Sequence, residues 1–273
     1  MGLKSSIVTV VGKDSPADKV LQRLRSEKVD IKNVIINPEM KTNFAVVILT
    51  EDGERTILVY HGLRDYREVK LKKTLEAKWF FLAPLGENAD EIIDDLVSVA
   101  ARQGARIAWN PGAHQIKNGV SHYRNLLRNV EVLFVNKEEA IKLIDYPVRP
   151  QEEEVLKKLN QLGAKIVVMT NGKEGAKVFD GKRFYHIGIY DVAKRVDATG
   201  AGDSFATGFV SRLVILPIGS EITKEIITEG LKYGVINSAA VVSKMGAQAG
   251  LMTRGQMEAA VAEASGLMVD IWE

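Results

Sequence analysis

From residue 79 onward the chain alternates short apolar runs with amphipathic stretches, and few architectures accept that order. Residues 79–83 (WFFLA), 106–109 (RIAW), 132–135 (VLFV) and 165–170 (KIVVMT) read as buried strands. Residues 89–102 carry Ile92, Ile93, Leu96, Val99 and Ala100 at helical spacing. Strands that take turns with helices build a mainly parallel sheet covered on both faces, the α/β class. Ligands of such sheets sit beyond the carboxyl ends of the strands. That rule puts weight on Asn110, Asn136 and Thr170, each at or just after a strand end.

The upstream segment has a different period. Residues 6–11 (SIVTVV) read as a strand; Asp14 or Ser15 then offers a helix cap, Pro16 suits the first turn, and Val20, Leu21 and Leu24 mark a helical face to about Lys28. Residues 44–50 (FAVVILT) and 55–60 (RTILVY) flank an Asp-Gly turn at 51–54, which predicts an antiparallel hairpin. Residues 30–62 therefore read as a small lobe on one domain spanning 1–273. The last third, 201–267, is mostly helix, broken near 245–250 (MGAQAG).

The 273 residues suffice for one large α/β domain or two small ones. The 37 basic and 35 acidic side chains nearly cancel to +2, which argues for neither nucleic acid nor an anionic membrane as partner. With no cysteine, disulfides, thiolate metal sites and a cysteine nucleophile are excluded. The apolar runs fall short of the ~20 residues of a membrane span, and residues 1–13 lack a signal-peptide layout, so the cytoplasm is the default compartment. His61, His114, His122 and His186 have no metal-ligand spacing, and there is no GxxxxGK[ST] loop.

One stretch carries the chemistry, residues 196–210 (VDATGAGDSFATGFV). Gly200, Ala201 and Gly202 have almost no side chain, so their backbone N–H groups can crowd around an anion. Phe205, Ala206, Phe209, Val210, Leu213 and Val214 then recur at helical spacing, so a helix starts at this turn. A helix start offers unpaired N–H groups and a positive dipole end, and Asp203 lies where a negative charge is favoured. A carboxylate beside a phosphate pocket can take the proton of a hydroxyl whose oxygen attacks phosphorus.

The run Asp197, Thr199, Gly200, Ala201, Gly202, Asp203 resembles the second signature of the pfkB (ribokinase-like) carbohydrate kinase family, with Ala198 where that pattern usually has Thr. The resemblance extends from Gly2 to about Thr253 and implies a three-layer α/β/α ribokinase-like fold, with residues 30–62 as a small antiparallel lid or substrate lobe. It also implies an ATP- and Mg²⁺-dependent kinase that phosphorylates a hydroxyl of a small sugar, with a nucleoside acceptor, or a homologue that binds nucleotide but is catalytically impaired, as alternatives. By position Asp203 is the family's catalytic base and Gly200, Ala201 and Gly202 its anion hole. Asn136 and Glu139 match an Asn-x-x-Glu motif that organises Mg²⁺ through water, a mode that suits an ion reluctant to shed its hydration shell. Thr170, Gly172 and Gly175 match a segment bordering the nucleotide phosphates and ribose, and Asn110 an Asn-Pro segment facing the acceptor. Asn237, Ala240 and Gly246 fall where the family packs small residues around adenine. Asp197 and Thr199 match positions that in many members help hold a monovalent cation, potassium.

The family carries roughly forty residues, including a central strand and a substrate-binding acid, ahead of the point matched by Gly2-Leu3-Lys4. The resemblance thus implies that the strand at 6–11 lacks a neighbour and that the chain alone is a poor kinase. Its open edge invites pairing with another chain, as a homodimer through the lid or the sheet edge.

Overall fold

The computed structural model describes residues 2–49, 55–62, 66, 69–71, 75–145, 150–191 and 194–273, which divide into two compact units. The smaller comprises Gly2–Leu75 with Gly86–Asp95, and the larger Glu76–Leu85 with Leu96–Glu273. The 30–62 segment falls within the smaller unit. Among the described residues no helix is long and apolar enough to cross a membrane.

The smaller unit opens with β1 (Ser6–Gly12), α1 (Ser15–Ser26) and β2 (Asp30–Asn37), and the two strands pair in parallel across the helix. Asp14 caps α1 by accepting from the Ala17 N–H at 3.1 Å. The same carboxylate accepts from the Thr42 hydroxyl at 2.7 Å and the Thr42 N–H at 2.9 Å, and those bonds hold it below the usual carboxylate range. One acid therefore closes the strand-to-helix turn and fixes the entry to the hairpin. Val11, Ala17 and Leu21 make a small core under α1, with Ile31 and Val34 against it. β3 (Phe44–Leu49) and β4 (Arg55–Tyr60) pair antiparallel, and the Phe44 and Tyr60 rings stack 5.1 Å apart. The expected hairpin turn, 51–54, lies outside the described residues.

In the larger unit β5 (Trp79–Leu82), β6 (Arg106–Trp109), β7 (Val130–Asn136) and β8 (Ile166–Thr170) lie side by side in parallel, as the alternation predicts. The sheet continues antiparallel through β9 (Ala176–Phe179), β10 (Phe184–Ile187) and β11 (Val269–Trp272), giving seven strands in the order β11-β10-β9-β8-β7-β6-β5. α2 (Asp90–Gln103) begins in the smaller unit and ends in this one, and α3 (Ala113–His122) and the short α4 (Arg124–Leu127) connect β6 to β7. α5 (Lys137–Leu143) and α6 (Glu152–Gln161) follow β7 and pack on it and on β8 and β9.

α7 (Ala201–Leu213), α8 (Lys224–Val242) and α9 (Arg254–Glu263) complete the unit, with Phe205, Phe209, Leu213, Ile227, Leu231 and Ile236 in one core with Val132, Phe134, Val168 and Tyr185 of the sheet. The Phe209 ring meets the Phe134 ring edge-on at 5.6 Å, and Phe205 lies 6.5 Å from Phe209. Burying each such side chain contributes roughly 1.5–3 kcal/mol, so the start of α7 is held from behind by its own aromatic face. Close approach of α7 and α8 requires small residues: a methyl group on Gly234 would stand 2.9 Å from the Phe205 ring.

Candidate active site

Asn110, Asn136 and Thr170 stand at the carboxyl ends of β6, β7 and β8, and Asn136 and Thr170 are register partners across the β7–β8 pair. Each strand end is tied down. Asn110 donates its side-chain amide to the Phe134 carbonyl at 3.0 Å and its N–H to Leu82 at 3.0 Å. The turn after it is pinned by Gln115, a buried residue whose amide bonds the Leu85 carbonyl at 2.9 Å and the Gly112 N–H at 3.0 Å. Asn136 caps α5 by accepting from the Glu139 N–H at 2.8 Å, and Glu139 returns one carboxylate oxygen to the Asn136 N–H at 2.9 Å.

The turn after Thr170 is a tight hairpin in which the Asn171 N–H donates to the Gly175 carbonyl at 2.9 Å. Gly175 has φ 84° and presses against the backbone of Ile187 and Gly188, so no side chain fits there. Gly172 faces open space.

The start of α7 is built differently, around a buried acid. Asp197 is 7 % exposed. One of its oxygens accepts from the Thr199 N–H at 2.9 Å and the Thr199 hydroxyl at 2.6 Å, and the other from the Gly246 N–H at 2.9 Å. The N–H groups of Val196 and Asp197 both donate to the Val242 carbonyl. This carboxylate thus fastens the 196–200 turn to the loop that follows α8. Gly200 completes the fastening as the N-cap of α7 with φ 79°; a methyl group there would lie 2.8 Å from the Ala247 side chain.

Beyond Gly200 the surroundings open. A methyl group on Gly202 would touch nothing within 4 Å, and Asp203, the third residue of α7, is exposed with no hydrogen bond to its carboxylate among the described residues. Ala201 donates its N–H to the Ala198 carbonyl at 3.2 Å. The N–H groups of Gly202 and Asp203 belong to the first turn of a helix, where no intrahelical acceptor exists. An exposed carboxylate beside outward-facing amides on a rigid base can bind an anion and take a proton next to it.

Of the residues aligned with the adenine region, Gly246 is joined to Asp197, and Ala240 lies under the same loop where Gly250 crosses it. Asn237 is 2 % exposed; its amide donates to the Ser204 carbonyl at 2.8 Å and its oxygen accepts from the Met252 N–H at 3.4 Å, bracing α7 against α8 and the chain beyond the loop.

Residues 151–154 form an acid-rich helix start of a kind usually left in solvent, but Glu152 is not solvated. Glu152 is only 14 % exposed in its side chain; one carboxylate oxygen meets Lys137 Nζ at 2.7 Å and Asn171 Nδ2 at 2.9 Å, and the other meets Lys177 Nζ at 2.9 Å. Burial opposes its ionisation, but bonds from the two lysines outweigh that and hold its carboxyl below the usual range. Three partners from three segments made this cluster invisible to local reading.

The pattern of the pfkB family carbohydrate kinases matches residues 1–254. A cytidine kinase of Thermococcus kodakarensis is 32% identical over 220 residues, 77% of this chain and 74% of its own. A ribokinase of Staphylococcus aureus is 27% identical over 259 residues, 92% of this chain and 80% of its own. The fold is that of an E. coli putative ribokinase II solved with ATP and Mg²⁺, with a TM-score of 0.77 at 18% identity over 96% of this chain and 84% of that one. On sequence and fold together, the chain belongs to the pfkB family of carbohydrate kinases, phosphotransferases that act on a hydroxyl group.

Proposed function

We propose that this kinase moves the γ-phosphoryl group of ATP to a hydroxyl of a small sugar at the start of α7. The carrying observation is the contrast within one turn: Asp197 and Gly200 are locked by buried bonds and close contact, whereas Gly202 and Asp203 face open space. Asp203 takes the proton of the acceptor hydroxyl as its oxygen forms the new bond to phosphorus, and the bond to the departing ADP oxygen breaks with its electron pair. Gly200, Ala201 and Gly202 shape the anion hole: Gly202 turns an unpaired first-turn N–H toward the transferring group, while Gly200 and Ala201, whose N–H is held by the Ala198 carbonyl, keep the turn small and fixed around it.

Thr170, Gly172 and Gly175 border the nucleotide phosphates, and Ala240 and Gly246 line the adenine side with Asn237 bracing them. Asn110 faces the acceptor. Among the described residues no cluster of three His, Asp or Glu side chains forms a metal cage. Mg²⁺ keeps its waters and binds through phosphates and one or two carboxylates. Glu139 has one oxygen in the cap and a second for such a hydrated ion, with Asn136 beside it. Bound there, Mg²⁺ supplies charge neutralisation on the phosphates. Asp197 and Thr199 serve the cradle by fixing its turn; potassium beside them is tested by exchanging it for sodium.

Residues 30–62 serve as the substrate lobe and as the contact with a second copy of this chain. The β3–β4 ribbon has apolar side chains exposed on both faces, Val46 and Leu58 on one and Val47 and Ile57 on the other, so a bound substrate covers one face only. A second identical ribbon covers the other.

A nucleoside acceptor is the second reading, favoured by the 32% identity to the cytidine kinase. ADP release from ATP, measured over a panel of sugars and nucleosides, decides between them: saturable turnover with pentoses or hexoses supports the first, and turnover with nucleosides alone replaces it. No acceptor-dependent ADP from any of them overturns the catalytic reading.

A further inference from the structure

Outside the catalytic turn, a polar cluster of the larger unit lies on the α5–α6 face of the sheet, in a groove of about 390 Å³ lined by Glu152, Met169, Asn171, Glu174, Lys177 and His186. The groove has a floor of strand β8 and an acid, Glu152, that no neighbour on its own helix explains. Its three partners come from the start of α5 (Lys137), the turn after β8 (Asn171) and β9 (Lys177).

Two of those partners belong to the segments assigned to Mg²⁺ (136–139) and to the nucleotide phosphates (170–175). Lys137 immediately follows Asn136 and is the first residue of α5, and Asn171 immediately follows Thr170. From the Glu152 carboxylate that bonds both at 2.7 and 2.9 Å we infer that Glu152 is a positioning residue, which sets the gap between the Asn136–Glu139 helix start and the 170–175 turn, and so tunes nucleotide affinity without touching the nucleotide.

The geometry explains why a carboxylate is needed. Asn171 is also bonded to Glu174 of its own turn, so the turn is closed internally and held externally through one amide. Lys177 saturates the second oxygen of Glu152 and is itself held by Glu153 at 2.8 Å, which keeps Glu152 from swinging away from the pair it joins. A neutral amide at 152 keeps one oxygen to accept from Asn171 and Lys137 but loses the negative charge and turns an NH2 donor toward Lys177. A methyl group gives up all three partners and leaves Lys137 and Lys177 without their shared acid.

The inference rests on the kinase reading only for its effect on nucleotide binding; the mechanical part stands apart from it. Amide hydrogen exchange on the wild type, Glu152→Ala, Glu152→Gln and Asn171→Ala tests the mechanical part directly. In Glu152→Ala the amides of 136–139 and of 171–175 should lose protection together, by about tenfold or more, and in Glu152→Gln less. Asn171→Ala should loosen 171–175 and leave 136–139 protected. Calorimetry with ATP and Mg²⁺ then reads the consequence: a Kd about tenfold weaker in Glu152→Ala, with turnover at saturating ATP and the acceptor KM within twofold of wild type. The Glu152→Ala, Asn171→Ala double variant should weaken ATP binding by less than the sum of the two single variants, because both cut the Glu152–Asn171 contact.

Unchanged exchange in both segments, or loosening of only one of them in Glu152→Ala, overturns the inference. So does a fall in melting temperature with ATP affinity intact. If Glu152→Ala does not fold, the amide variant and Asn171→Ala decide by the same exchange readout. A wild type that binds no ATP overturns the kinase reading, while exchange still decides whether Glu152 joins the two segments.

Discussion

The larger and smaller units are written in similar strand sequences and handle them in opposite ways. In β7 and β8 every apolar side chain from Val132 to Val135 and from Ile166 to Met169 is buried between helices on both faces. In β3 and β4, runs just as apolar leave Val46 50 % and Leu58 56 % exposed. A two-stranded ribbon is marginal by itself in water, so the smaller unit's apolar faces are a surface awaiting cover, whereas the larger unit's are a foundation. On the proposed function, the chemistry sits on the foundation and recognition on the awaiting surface. Substitutions in the two units should therefore fail in different ways.

The largest effect is expected at the exposed acid of the larger unit. Asp203→Asn should lower turnover by at least about a thousandfold, with ATP affinity nearly unchanged, because a general base and its charge are lost together. Steady-state kinetics that put the variant within tenfold of wild type would remove Asp203 from the base role.

Next come two glycines two residues apart. Gly202→Val meets open space, so folding should be unaffected while phosphoryl transfer drops at least about a hundredfold, the scale of losing a preorganised donor site. Gly200→Ala forces a side chain into a left-handed backbone against Ala247, and should cost about 1–3 kcal/mol of stability before any catalytic effect is counted. Thermal unfolding and single-turnover rates on both separate the two. Equal stability losses would mean that the turn is not divided into a locked and an open half.

A smaller, qualitatively different effect is expected in the smaller unit. Leu58→Asp places a charge on the ribbon and should raise the acceptor KM about tenfold and shift the chain toward monomer in sedimentation. ATP affinity should not move. A matching loss of ATP affinity would show that the two units do not divide the work as argued.

The legible parts of the sequence were those whose cause is local. Buried parallel strands give unbroken apolar runs, so 106–109 and 165–170 could be placed, and the Asp14 cap and the Gly-rich start of α7 follow from residues within a few positions of each other. β10 and β11 escaped because, unlike the equally short but apolar-ended 106–109, each is interrupted by a polar residue, His186 or Asp270. Their strand character comes from pairing with each other across the sequence, not from their own pattern. The candidate site divides likewise. Asp203 and Glu139 sit in contiguous motifs, but what holds them does not. Gln115 reaches Leu85, Asn237 reaches Ser204, and Glu152 reaches three segments, contacts of long sequence separation between ordinary polar residues. A run of acids at a helix start is common and usually solvated, so the Glu152 clamp had no local signature.

The smallest predicted effect concerns that clamp and its pH window. Glu152 and Glu153 are held below the ordinary carboxylate value of 4.5; burial works against this for Glu152, but bonds from Lys137 and Lys177 prevail, and for Glu153 the Lys177 bond dominates. A carboxyl lowered on folding stabilises fully above its unfolded value and loses that contribution as pH falls through the lower folded value. Burial alone would lower Lys177, yet Glu153 and Glu152 raise it above 10.5, so its share is complete below that value and is lost only as pH rises through the higher folded value. Between these limits the cluster should be indifferent to pH, although Glu174 also faces it through Asn171. The melting-temperature gap between wild type and Glu152→Ala should thus be flat from about pH 5 to 9, on the scale of about 1 kcal/mol or about 2–4 °C. It should close below pH 4.5 as the carboxyl takes up its proton. A gap that persists undiminished at pH 3 would mean that Glu152 stabilises the larger unit through packing and not through its charge.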